Sequence, residues 1–189
     1  PYFINTYVQR DECSYRLSDF VPIANLVSDP AILAVKGDSS FETLGDFINY
    51  AKENPQVLTV SSEGVGSSDW LVMTKLEELA GIELNLINFE GDAPARTALL
   101  GGHISAYSGN LSEVSAFIET GQMRVLGLMS EDRSFLFPLI PTFKENGFDI
   151  VSETSRGFIA PKGFPDEYRQ ILVDALEEIV KRPDFIQRM

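Results

Sequence analysis

The stretch Ser61-Ser62-Glu63-Gly64-Val65-Gly66-Ser67-Ser68 sets hydroxyls and two glycines between the apolar run Leu58-Thr59-Val60 and residues at helical spacing, Leu71, Val72, Leu76, Leu79 and Ala80. That order predicts a strand, a tight turn and a helix start. The first N–H groups of a helix have no partner inside it, so such a turn, capped by Ser67 or Ser68, can hold an anion without a full positive charge. Many Gly-Ser turns cap helices and bind nothing; here the pattern recurs. Glu90-Gly91-Asp92-Ala93-Pro94 follows a strand-like run at 84–89, with Asp92 suited to cap and Pro94 to a first helical turn. Gly109-Asn110-Leu111-Ser112-Glu113 follows another at 104–108, where Asn110 or Ser112 would cap and Glu113 would bond back to the Asn110 amide.

Chemistry of other kinds finds little support in these residues. A serine nucleophile elbow needs Gly-x-Ser-x-Gly, and Gly66-Ser67-Ser68-Asp69-Trp70 lacks the closing glycine. A dinucleotide fingerprint needs three glycines after a first strand and Gly64-Val65-Gly66 supplies only two before Asp69, and no Gly-Lys-Ser/Thr phosphate loop occurs. Glu77-Glu78 and Glu177-Glu178 are sequential helix neighbours that cannot face each other across a substrate. His103 and Cys13 are each the one residue of their type, which excludes an internal disulfide and a Cys/His metal cluster. The reading is therefore of a binding protein, not an enzyme, with neither cofactor nor metal. A formal charge of −13 repels phosphate backbones and anionic lipid heads, so nucleic acid and membrane surfaces are poor partners.

The elements that must position the turns alternate. Strands are predicted at 21–27 and 31–35, broken by Ser28-Asp29-Pro30. A helix carrying Leu44, Phe47, Ile48 and Ala51 follows and stops at Pro55. Strand 57–61 and helix 69–80 come next, then the units described above, strand 123–129, a loop at 138–149, strand 155–161, and a helix from Pro165 to about Arg182. Residues 1–20 show no clean period and read as the tail of an element. Alternating strands and helices predict a mostly parallel sheet with right-handed crossovers, which would gather the turns at 36–40, 61–69, 90–94 and 109–112 at the C-terminal strand edge.

The order of several segments resembles a known family. These are Asp19-Phe20-Val21-Pro22-Ile23, the 62–68 turn, Asn88-Phe89-Glu90-Gly91-Asp92-Ala93-Pro94-Ala95, Leu99-Leu100-Gly101-Gly102-His103, Gly121-Gln122-Met123-Arg124-Val125-Leu126-Gly127, Pro141-Thr142-Phe143 and Gly157-Phe158-Ile159-Ala160-Pro161. Together they are similar to the extracytoplasmic receptors of tripartite tricarboxylate transporters, over almost the whole chain. The resemblance implies an α/β fold of the periplasmic-binding-protein type II-like kind, two lobes with a mainly parallel sheet, joined by crossing strands and holding a small organic carboxylate in their cleft. It implies 31–155 as the second α/β lobe, and 1–30 with 156–189 as part of a first lobe left incomplete. Ligand contacts would then come from Ser61, Ser62, Gly64, Val65, Gly66, Ser67 and Ser68, from Gly91, Asp92, Ala93 and Pro94, and from Asn110 and Ser112. Implied with these are a periplasmic or extracellular location, with or without a membrane anchor, and membrane permease subunits as partners. An incomplete lobe exposes apolar surface, which admits self-association.

The chain departs from the family pattern twice. Phe89-Glu90-Gly91 stands where the family often has Tyr-Lys-Gly, and Trp70 where a histidine is common. A carboxylate in place of an ammonium disfavours a highly charged tricarboxylate and points to a monocarboxylate, a dicarboxylate or an aromatic acid, with Trp70 as a wall or as helix packing. The alternative is an effector-binding sensor domain of an intracellular regulator, which an upstream basic helical segment would mark and an export signal would exclude.

Overall fold

The computed structural model describes residues 14–186. The reading of residues 1–13, Cys13 included, lies outside that range. After a 3-10 turn at Leu17–Asp19 the elements run β1 (Phe20–Lys36), α1 (Leu44–Glu53), β2 (Thr59–Ser62), α2 (Ser68–Ala80), β3 (Asn85–Asn88) and α3 (Asp92–Leu100). There follow β4 (Tyr107–Asn110), α4 (Leu111–Glu119), β5 (Met123–Met129), β6 (Glu153–Pro161), α5 (Asp166–Val180) and α6 (Pro183–Ile186). Contacts divide the chain into a unit formed by Asp29–Thr154 and a second formed by the chain up to Ser28 and from Ser155.

In the Asp29–Thr154 unit β2 pairs in parallel with β3, and a parallel bridge from Val60 to Ala106 joins β2 to the segment leading into β4. The second half of β1 lies between β4 and β5 and is antiparallel to both. Successive β1 side chains point to opposite faces. Leu33 and Val35 pack with Phe47, Ile48, Met73 and Leu76 from α1 and α2, while Ile32 and Ala34 pack with Leu99, Leu111 and Val114 from α3 and α4. With both faces covered, residues 31–35 are all buried, which is why this run reads as continuous apolar sequence.

The sheet is mixed, and one consequence corrects the reading of the turns. Ala31 lies opposite Asn110 and Met129, whereas Lys36 lies opposite Met123 at the start of β5. The turn at 36–40 is therefore at the rim opposite the ends of β2, β3 and β4, because β1 runs against them. That opposite rim is held by Arg124, whose guanidinium donates to the carbonyls of Gly37 (3.1 Å), Ser39 (3.1 Å) and Phe41 (3.0 Å). Lysine cannot reproduce a planar fork on separate acceptors. Arg124→Lys is expected to cost about 1–2 kcal/mol, read as a lower urea midpoint at unchanged slope; an unchanged midpoint would show the fork to be dispensable.

The predicted break at Ser28-Asp29-Pro30 is also corrected, since β1 is one strand of 17 residues. Pro30 costs one ladder donor, and the strand changes partners here, from β6 to β4 and β5. In the second unit the first half of β1 pairs with β6, so closely at Gly157 that a Cβ there would lie 2.1 Å from the Ala24 carbonyl oxygen. Arg169 of α5 donates to the Pro22 carbonyl (3.1 Å). No residue of α5 is buried, and Phe158, Ile159, Tyr168, Ile171 and Leu172 are exposed.

Candidate functional site

The turn between β2 and α2 is built by its own polar groups. The Gly64 amide donates to Ser62 Oγ (3.0 Å), the Ser67 amide donates to the Gly64 carbonyl (3.0 Å), and Ser67 Oγ accepts from the Trp70 amide (3.2 Å). Of the two serines offered as caps, Ser67 is the one used. Gly64 and Gly66 stand at φ 109° and 84°, a region that side-chain-bearing residues rarely enter, so the turn needs glycine at both positions. Ser61 lies beneath the rim. Its hydroxyl accepts from the Ser108 amide (3.0 Å) and donates to the Ser108 carbonyl (3.3 Å), tying β2 to β4. Val65 projects outward and is exposed.

Because β2, β3 and β4 run in parallel, the starts of α2, α3 and α4 share one rim. The three starts are not alike. Asp92 does not cap α3, contrary to the sequence reading. It is already helical, Gly91 holds the cap position at φ 96°, and no side chain bonds there. Ala93 and Pro94 follow in the exposed first turn. The α4 start carries no cap from Asn110 or Ser112 and no return bond from Glu113. It is closed instead by Asp29 of β1, whose carboxylate accepts from the Ser112 amide (3.0 Å) and the Ser112 hydroxyl, while the Asn110 side-chain amide donates to the Asp29 carbonyl (3.4 Å). The first amides of α2 (Ser68, Asp69) and of α3 (Asp92, Ala93) have no hydrogen-bond partner among the described residues.

A group of acids lines this rim. The Tyr107 hydroxyl lies 2.9 Å from Asp92 Oδ1 and 2.6 Å from Glu113 Oε2, and Arg96 is 3.4 Å from Glu113. A phenol has one hydrogen for two carboxylates, so this trio is satisfied best with a proton held on Glu113. Burial, and then the bond to Glu113, raise the Tyr107 hydroxyl far above the usual phenol range and keep it protonated. Burial also raises Glu113, with Tyr107 and Arg96 opposing. Asp69, buried at the start of α2, is pushed up to about 7, first by burial and then by the charges of Glu63 and Asp92; the Ser68 hydroxyl pulls the other way. Glu63 rises through partial loss of hydration and the charge of Asp92.

Glu63, Asp69 and Tyr107, with Asp29, are the residues that sequence reasoning missed at this rim, and Glu113 was given a return bond to Asn110 in place of its contact with Tyr107. Asp69 reads as an ordinary first-turn acid and Tyr107 as one more buried aromatic. The available signal was the density of acids within a turn's length of the three helix starts. Among the described residues no group of His, Cys, Asp and Glu is placed to hold a metal ion.

Set against known proteins, this fold is that of a solute-binding α/β protein. The TctC solute binding protein from Polaromonas matches with a TM-score of 0.85 at 35% identity, over 97% of this chain and 62% of that one. The periplasmic binding protein BugD matches with a TM-score of 0.78 at 26% identity, over 99% and 63%. More distantly, at 22% identity, the fold is shared by MatC from Rhodopseudomonas palustris, solved with bound malate, and by an R. palustris protein solved with adipate. Residues 5–189 match the tripartite tricarboxylate transporter family receptor, and the chain belongs to that family. A UPF0065 protein of Cupriavidus necator is 34% identical over 169 residues, 89% of this chain and 51% of the relative. The chain thus spans about half the length of the curated relatives it matches. No helix among the described residues is long and apolar enough to cross a membrane.

Proposed function

We propose that this chain contributes the second lobe of a receptor that captures a small organic carboxylate, without chemistry, and delivers it to a tripartite tricarboxylate-type permease. The observation that carries this reading is the pair of helix starts, α2 and α3, whose first amides are unshared on one rim. Backbone donors at a helix start favour an anion with no formal positive charge. Malate and adipate in structures of the same fold support an organic acid as the ligand class. The Ser62–Ser68 turn and Gly91–Pro94 are the contacts we assign, with Asn110 and Ser112 beside them but turned to Asp29. Glu63, Asp69 and Asp92 add negative charge here, so a monocarboxylate or dicarboxylate fits better than a tricarboxylate. The division of contacts after Ser28 and after Thr154 supports reading 31–155 as one lobe and the flanking segments as part of another. BugD, described as periplasmic, supports a location outside the cytoplasm.

Calorimetry against a panel of organic acids, sugars and cations tests this. Carboxylates are expected to bind and neutral sugars not to; binding of sugars or cations alone would refute the anion cradle. The pH dependence has a definite sign. Asp69 is protonated below about 7, which removes a negative charge beside the ligand, so affinity should rise as pH falls from 8 to 6. Self-association through exposed Phe158, Ile159, Ile171 and Leu172 is part of the same proposal, and light scattering that gives a monomer at all concentrations would reject it.

A further inference from the structure

The three helix starts on the rim are equivalent in backbone direction and unequal in occupancy. The α4 start already holds an anion, and that anion is a side chain of the protein. Asp29 is only 4% exposed, and its two carboxylate oxygens take the Ser112 amide and the Ser112 hydroxyl. Those are the donors that a ligand carboxylate would use at this start. The Asn110 side-chain amide, which could turn toward a ligand, donates to the Asp29 backbone instead.

The neighbouring α3 start is close by. Tyr107 OH touches Asp92, the first residue of α3, and Glu113, in the first turn of α4, so the two starts are bridged by a single oxygen atom. A ligand with one carboxylate at α3 and a second a few carbons away would present the second to α4. In this chain it meets the carboxylate of Asp29, at the cost of like-charge contact and with the Ser112 amide and hydroxyl already taken.

We propose that Asp29 is a specificity-determining residue. By filling the α4 start with a carboxylate of its own, it confines this lobe to one ligand carboxylate, held at the α2 and α3 starts, and discriminates against short dicarboxylates. The proposal rests on the carboxylate-binding reading above, and it adds which ligands within that class are turned away.

Asp29→Ala removes the resident anion, and two measurements on the 189-residue chain read the outcome. The first is thermal unfolding with and without sodium acetate, using sodium chloride at equal ionic strength as the control. Acetate is expected to raise the melting temperature of the variant by several degrees more than that of the parent chain, because only the variant offers it the vacated α4 start. The second is titration with succinate and with propionate, followed by the fluorescence of Trp70, the one tryptophan, in the first turn of α2. The preference for succinate over propionate should rise about tenfold in Asp29→Ala, the size of one charge-assisted hydrogen bond gained. Asp29→Asn keeps an acceptor for the Ser112 amide and so preserves the fold if the alanine variant does not. Its preference should rise about threefold, from loss of the charge alone, without rescue by acetate. A purely structural role would lower affinity for both acids alike and leave the ratio unchanged, and that result overturns the proposal. So does a failure of acetate to rescue folded Asp29→Ala. If acetate rescues the variant while the parent binds no organic acid, the resident-anion account of Asp29 stands and the carboxylate-receptor reading falls.

Discussion

Gly109→Ala is expected to destabilise the chain by about 3 kcal/mol or more. Residues 107 and 109 of β4 share a face, and the Tyr107 ring folds over the glycine. A Cβ at 109 would lie 2.0 Å from the Tyr107 hydroxyl oxygen, 2.2 Å from Cζ and 2.7 Å from Cε1. No real contact is that short, so the ring would have to leave. It is fully buried and its hydroxyl bridges Asp92 and Glu113, so its departure would open a cavity and strand two half-buried carboxylates together. The loss should appear in urea unfolding and as weakened acid binding, because the α3 and α4 starts lose their bridge. A double-mutant cycle isolates the cause. With Tyr107→Ala already in place, Gly109→Ala should cost about 1 kcal/mol or less. If it costs as much in that background as in the parent, the clash with Tyr107 is not the reason.

Asp69→Asn is expected to stabilise the chain at pH 8 and not at pH 4. The carboxyl has an ordinary value of 3.8 and stands at about 7 in the fold, so the folded state holds its proton more tightly than the unfolded chain. Between these values unfolding releases a proton, and stability falls as pH rises; below 3.8 both states are protonated, and above about 7 both are ionised. At 1.36 kcal/mol per unit the full span is about 4 kcal/mol, and about 2–4 kcal/mol is a realistic expectation. Asparagine keeps an acceptor for the Ser68 hydroxyl, which lies 3.4 Å from Asp69 Oδ1, and cannot ionise. The variant's stability should therefore change much less between pH 4 and pH 8. A residual slope of the same sign is expected from Glu63 and Glu113, which are raised as well. Urea unfolding of both proteins across this range decides the matter, and parallel profiles would mean that Asp69 ionises freely in the fold.

Both effects depend on groups whose partners are remote in sequence, and this divides what could be read from the chain from what could not. The turn at 61–68 was legible because its parts are local: Ser67 caps a helix that begins one residue later, and Gly64 and Gly66 supply backbone that other residues resist. The apolar stripe of α1 was legible for the same reason, since Leu44, Phe47, Ile48 and Ala51 are set by helical period and all four are buried. Two local inferences failed where tertiary partners offered more than the local bond. Glu113 pairs with Tyr107 rather than returning to Asn110, and Asp92 leaves the cap position to Gly91.

Strand direction was beyond reach. Period and composition mark the two halves of β1 as strands, but a buried strand carries the same apolar run whether its neighbours are parallel or antiparallel, so the turn at 36–40 was assigned to the wrong rim. By itself the sequence determined the helices, most strands, the glycine turns and the acidic balance, because each follows from residues within one helical turn or from simple composition. Only the tertiary structure decided which turns share a rim, and that Asp29, 83 positions before Ser112, occupies one of the three helix starts. Contacts of that separation are selected by packing of the whole sheet, and no short window of residues carries them.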